Sequence, residues 1–146
     1  MKMRFLIAGV LTAAASAPAP ARDTEYKLPF ADVLTISEAQ GKLDGSVKFY
    51  LRGQKTPKVL EKKGDDVSNR KTNGVGKDDV FACKWAALSA LLALQDKAKR
   101  VGANAVVDIV SYYRKNVFSS ATDYECHAGA VIVGVTLKGT YAKVAQ

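Results

Sequence analysis

Residues 78–114 constrain the fold of this chain more than any other stretch. They read as one long helix over residues 79–101, a stop at Gly102, and a strand from Ala103 onward. Asp78 and Asp79 stand at the helix's positive end, where carboxylates cap free N–H groups and complement the dipole. Lys97, Lys99 and Arg100 crowd its last turn, and Gly102 supplies a left-handed stop. One apolar stripe runs through Val80, Cys83, Ala87, Leu91, Leu94, Ala98 and Val101, and a second through Phe81, Trp85, Leu88 and Leu92. The first half of the helix should be covered on two sides and the second half on one. Cys83 lies in its first turn, and its only possible partner, Cys126, begins the next apolar run. Together these features predict a small α+β domain stapled by one disulfide.

The ends of the chain set its context. Of 146 residues, the first 21 look like a signal peptide. Lys2 and Arg4 form a basic start, residues 5–15 an apolar segment too short to span a bilayer comfortably, and Ala19-Pro20-Ala21 a small-residue cleavage site. Cleavage after Ala21 leaves residues 22–146 as a single exported, periplasmic domain. No later stretch is apolar enough for a membrane helix. In an exported chain two cysteines read as a bridge, and closing a loop of about 43 residues contributes roughly 4 kcal/mol in the chain-entropy model. Two cysteines and the single histidine, His127, lack the paired spacing of a zinc site, so no metal or cofactor is read from spacing.

Removing Lys2 and Arg4 lowers the formal net charge from +8 to +6. Most of the excess is local: residues 52–77, from Arg52 to Lys77, hold eight basic and three acidic side chains. Such a basic loop attracts anions or acidic partners, or simply keeps the surface solvated.

Around the helix, residues 22–45 read as a lead-in, with a short helix opened by Pro29 and a further turn capped by Ser37. Residues 46–52 alternate as a half-buried strand, with Val47, Phe49 and Leu51 on one side. Residues 58–61 read as a short edge strand pairing back on it, and residues 64–77 as a polar loop. Residues 103–114 and 125–138 read as an antiparallel hairpin joined by a loop. In the last strand Cys126, Ala128, Ala130 and Ile132 share one parity, and Val131, Val133, Val135 and Leu137 the other, unless bulges at Gly129 and Gly134 shift it. The valine face then needs its own cover, from the N-terminal segment or from a second subunit. The expected architecture is a small antiparallel or mixed sheet of three to four strands against one long helix.

Chemistry is sparse in the sequence. Gly74-Val75-Gly76-Lys77 resembles the end of a phosphate-binding loop, but Lys71 stands where its first glycine belongs and Asp78 where the magnesium-binding hydroxyl belongs. Asn69, Arg70, Lys71, Asn73 and Lys77 form a candidate anion or partner surface without catalysis. His127 has no nucleophile–acid constellation at readable spacing and is taken as structural. Asp108 inside an apolar strand is expected at a solvent edge or paired with Arg114 or a lysine. Tyr112, Tyr113, Arg114 and Phe118 mix aromatics with a cation at the hairpin end, a combination that can stack bases, though export argues against a nucleic-acid partner.

The motifs Asp44-Gly45-Ser46-Val47, Asp66-Val67-Ser68-Asn69-Arg70-Lys71, Cys83-Lys84-Trp85, Gly102-Ala103-Asn104-Ala105-Val106 and Tyr124-Glu125-Cys126-His127-Ala128-Gly129 resemble a family of small exported proteobacterial proteins. That family often carries the label "excinuclease ATPase subunit". The chain has no complete Walker A motif, no ABC signature and no zinc-finger cysteines to match that label. The narrower unit of helix, Gly102-Ala103-Asn104-Ala105-Val106 and strand also resembles the core of YbjQ-type domains and of the envelope stress sensor RcsF. The RcsF likeness implies signalling by protein contact, and the YbjQ likeness implies oligomers with a ligand or metal role. The resulting expectation is a periplasmic, non-enzymatic binding or interaction module, related to envelope stress, whose partner is an envelope protein or a polyanionic envelope component. A small-ligand or metal-binding oligomer is the alternative, and an enzyme comes third.

Overall fold

The computed structural model describes residues 9–10, 12–16 and 22–146. The expected signal peptide, residues 1–21, falls for the most part outside the described residues. From Thr24 the elements run β1 (Thr24–Pro29), α1 (Phe30–Thr35), α2 (Ser37–Lys42), β2 (Lys48–Leu51), β3 (Val59–Asn73), α3 (Asp79–Arg100), β4 (Ala105–Ser111), a 3-10 turn (Tyr113–Lys115), β5 (Asp123–Ala128) and β6 (Ile132–Val144). No helix among the described residues is long and apolar enough to cross a membrane.

The fold is α+β, one long helix against a curled mixed sheet. That sheet has six strands rather than the expected three to four. β6 is its spine. Along one edge it pairs antiparallel with β3 over nearly its whole length, from Asn73 opposite Ile132 to Val59 opposite Val144. Along the other edge it meets β5 at Val133 and Gly134, then β4 from Leu137 to Ala142. β1 extends the sheet antiparallel beyond β5, and β2 pairs with β4 in parallel.

Residues 58–61 are therefore the start of β3 and pair with β6, not with β2, and most of the expected polar loop at 64–77 is strand. Pattern reading fails there because β3 is polar on both faces. Only Ser68 is buried along its length, its hydroxyl donating to the Ala90 carbonyl of α3 at 3.0 Å.

Helix α3 matches its punctuation. The Asp78 carboxylate accepts the Phe81 N–H at 3.1 Å, and Gly102 follows the helix at φ 75°. The helix crosses one face of the sheet and buries Ala82, Cys83, Ala86, Leu88, Leu91, Leu94 and Ala98 among others. The Cys83–Cys126 disulfide is formed, with Cα atoms 5.9 Å apart, and ties the helix to β5.

The expected continuous strand at 125–138 is instead two strands, β5 and β6. A tight turn separates them, closed by the Gly129 N–H donating to the Ile132 carbonyl at 2.8 Å. The break resets the parity. Val133, Val135 and Leu137 join Cys126 and Ala128 in one core, while Val131 and Ile132 are exposed. Val133, Val135 and Leu137 therefore form no face of their own and pack in the core under α3, while Val107 and Val144 belong to a second, smaller cluster. The N-terminal segment has other roles: β1 lengthens the sheet, and Phe30 and Val33 of α1 are buried in the core. Ser37 is the first residue of α2 rather than its cap. The hairpin partner of β4 is β6, with only an isolated bridge from Ser111 to Phe118 in the intervening loop.

Candidate functional site

The sheet's other face carries the most distinctive surface. Because Ser68 turns toward α3, its neighbours Val67, Asn69 and Lys71 turn away. Across the ladder they stand opposite Lys138, Thr136 and Gly134 of β6. The segment after β4 forms the remaining wall. The Tyr112 N–H donates to the Thr136 carbonyl at 2.9 Å, and the chain then turns tightly with Arg114 and Lys115 at positive φ. These residues enclose an open groove of about 550 Å³, lined by Val67, Asn69, Lys71, Tyr112, Tyr113 and Arg114 with Lys115, Gly134 and Thr136.

The groove's electrostatics are one-sided. Lys71, Arg114 and Lys115 line it without a carboxylate among the lining residues. Lys138 joins them, its ammonium 4.8 Å from the centre of the Tyr112 ring, and the Arg114 guanidinium lies 5.1 Å from that of Tyr113. Cation–aromatic contact of this kind orients a side chain without neutralising it. The ion pairs of the described residues involve other cations, including Arg22–Asp79, Arg52–Asp108, Lys97–Asp66 and Lys99–Asp44.

Of the surface expected from sequence, the fold brings Asn69 and Lys71 into this groove. It places Arg70 on the helix side of the sheet, beside Asp66, Ser68, Lys97 and Arg100. Asn73 is spent on a turn, its side-chain oxygen accepting the Val75 N–H at 2.9 Å, and Lys77 is exposed beyond that turn. Asp108 pairs with Arg52 at 2.8 and 3.1 Å, not with Arg114 or a lysine. Tyr112, Tyr113 and Arg114, noted in the sequence as aromatics beside a cation, line the groove, whereas Lys115 and Lys138 are not among the expected residues. A cation two residues from a tyrosine, as in Tyr113-Arg114-Lys115, gives no groove until β6 is known to pass beside it.

A second cluster sits where β1 meets β5. Glu25 stands opposite His127 and Lys27 opposite Glu125. The His127 Nδ1 lies 2.8 Å from Asp23 Oδ1, and Nε2 contacts Glu125 Oε1. Tyr113 stacks on the imidazole, with ring centres 3.5 Å apart and planes 13° from parallel. The Lys27 ammonium, 2.9 Å from Glu25, holds that carboxyl below the usual range. Among the described residues, Glu25, Glu125 and His127 have potential ligand atoms within 4.8 Å of one another and could hold a metal ion. Sequence separation hides this set, because only the β1–β5 register joins residue 25 to residue 127. The one local signal is Glu125 and His127 two apart on a strand, hence on one face.

Compared with known protein families and with curated proteins, the chain matches none.

Proposed function

We propose that this is an exported, non-enzymatic binding module of the bacterial envelope that holds an acidic or phosphorylated partner in the groove between β3, β6 and residues 112–115. The observation that carries the reading is the groove's charge. Lys71, Arg114 and Lys115 line one concave surface with no carboxylate among its lining residues, and Lys138 stands beside it over the Tyr112 ring. Cations held close together without counter-charges raise the local potential, and an anionic partner relieves it. Asn69 and Thr136 add neutral hydrogen-bonding groups between them, and the tyrosines supply flat walls.

Nucleotide hydrolysis fits the chain poorly. Where a phosphate-binding loop places its hydroxyl, Asp78 caps α3 with its carboxylate. A carboxylate there repels phosphate and cannot take the hydroxyl's role on magnesium.

The test is fluorescence anisotropy with labelled polyglutamate and labelled polyphosphate, against neutral dextran. Binding to at least one polyanion is expected, weakening steeply with salt. The double variant Lys71→Ala/Lys138→Ala should lose it, while Lys55→Ala/Lys58→Ala, in the loop between β2 and β3, should keep it. Absence of binding to either polyanion, or equal loss in both double variants, would defeat the proposal.

A further inference from the structure

The cluster at the β1–β5 junction carries an inference independent of the groove. It begins with the imidazole's protons. A neutral histidine has one N–H to give. In this fold both ring nitrogens of His127 face carboxylates, Asp23 at Nδ1 and Glu125 at Nε2. With the Nδ1 proton donated to Asp23, Nε2 turns a lone pair toward Glu125, and the Glu25 carboxylate lies close by. A lone pair facing a carboxylate oxygen is repulsive, and either a second ring proton or a metal cation relieves it.

The surroundings favour such a cation. Glu125 is 8% exposed, so its carboxylate has lost most of its water. Its backbone is fixed as well, the N–H donating to the buried Ser111 hydroxyl at 2.9 Å. Among the described residues Lys27 is the lysine bonded to the cluster, through Glu25, and Arg114 lines the same open pocket. Tyr113 lies flat on the imidazole and fixes its plane.

We propose that His127 Nε2 and the carboxylates of Glu25 and Glu125 bind a divalent transition cation, for which Zn²⁺ is the best match. One nitrogen with carboxylate oxygens is a borderline donor set. Imidazole favours zinc over calcium or magnesium, which prefer oxygen ligands throughout. Asp23 is the positioning residue. Its hydrogen bond at Nδ1 selects the tautomer that leaves Nε2 bare, as outer carboxylates do at zinc-bound histidines. Glu25 is exposed, so the site opens to solvent on that side and has room for water as a further ligand.

The experiment uses the untagged exported protein, stripped with a chelator and titrated with Zn²⁺ against a chromogenic competitor, with Mn²⁺ and Ca²⁺ run in parallel. One zinc per chain is expected, with manganese weaker and calcium weaker still. Glu25→Gln, at an exposed position that leaves the fold intact, should weaken zinc at least tenfold, and His127→Gln should abolish one-to-one binding. Asp23→Asn should keep the stoichiometry but weaken affinity by about 10–100-fold. In Co²⁺-loaded protein the visible absorption bands should change in His127→Gln. The groove variant Lys71→Ala/Lys138→Ala should bind zinc normally, which separates failure of this site from failure of the groove. A stripped protein that takes up no zinc at millimolar concentration would overturn the assignment. So would affinity unchanged in both Glu25→Gln and His127→Gln, and the imidazole would then be held by a proton instead.

Discussion

Asp108 adopts φ 57° in the middle of β4, a region that costs an L-residue about 1–2 kcal/mol and that aspartate tolerates better than most. The reason is a bulge. The ladder of β4 on β6 skips between Val107 and Val110, and β2 shifts register at the same level. The bulge turns Asp108 outward onto Arg52 while Ile109 and Val110 stay buried. Asp108→Val should therefore destabilise by about 1–2 kcal/mol. Asp108→Gly, which relieves the backbone but loses an exposed ion pair, should stay within about 1 kcal/mol of the parent. Urea unfolding distinguishes the two, and equal losses would show that the ion pair rather than the backbone matters. Tyr124 presents a different residue-scale conflict. Its ring is buried, and among the described residues its hydroxyl has no hydrogen-bond partner. Burial, with the nearby Asp32 charge, pushes its pKa up. Tyr124→Phe removes an unsatisfied polar group and should leave stability unchanged or raise it by about 1 kcal/mol. A loss above that size would mean the hydroxyl has a partner such as bound water.

Among the elements, β6 organises the molecule, and its tightest point is Gly139. A Cβ there would meet Val106 Cγ1 at 2.7 Å and Ile109 Cγ1 at 3.1 Å. Both neighbours are buried and cannot swing out. Gly139→Ala should cost about 1–3 kcal/mol by overpacking, read as a lower denaturant midpoint with an unchanged slope. Unchanged stability would show that β4 yields at its bulge. The same strand shows what sequence could and could not reveal. Helix α3 was legible because its caps, its terminal charges and its stripe are local, and the Cys83–Cys126 bridge followed from cysteine count and context. β3 was not legible, since Asp65, Asp66, Asn69, Arg70 and Lys71 give no alternation and the strand is specified by pairing to β6. β1 alternates, with Tyr26 and Leu28 turned toward the core between exposed Glu25 and Lys27, a pattern that reading residues 22–45 as a lead-in passes over. The parity of the valines depended on a turn at Gly129 that the glycine alone did not fix. Much of the groove's chemistry was visible as two separate groups, Asn69 with Lys71 and Tyr112 and Tyr113 with Arg114. That they meet on one surface depends on the β3–β6 ladder, which only the fold defines.

At the scale of the whole molecule, charge binds the layers together. Three aspartates connect other parts of the chain to the ends and flank of α3. The Lys99 ammonium and then Ser46 lower the pKa of Asp44. The Tyr26 hydroxyl and then Arg22 lower that of Asp79. For Asp66 burial opposes ionisation, but the Tyr141 hydroxyl and Lys97 outweigh it and the pKa falls below its ordinary value of 3.8. A carboxylate with a depressed folded-state pKa stabilises above its unfolded value and loses that contribution as pH falls through the folded value. Melting temperature should thus be level near neutrality and fall as pH drops below about 4. The triple variant Asp44→Asn/Asp66→Asn/Asp79→Asn should show a flatter acid limb. An acid limb as steep as the parent's would place the titrating groups elsewhere. On the opposite face the groove's cations form no ion pair among the described residues, and this imbalance is the basis of the functional proposal. Its most direct test is backbone amide mapping of ¹⁵N-labelled protein titrated with polyphosphate and with polyglutamate. The account predicts salt-sensitive shifts concentrated at Asn69, Lys71, residues 112–115, Thr136 and Lys138. Shifts centred instead on residues 52–63, or none with either polyanion, would contradict it.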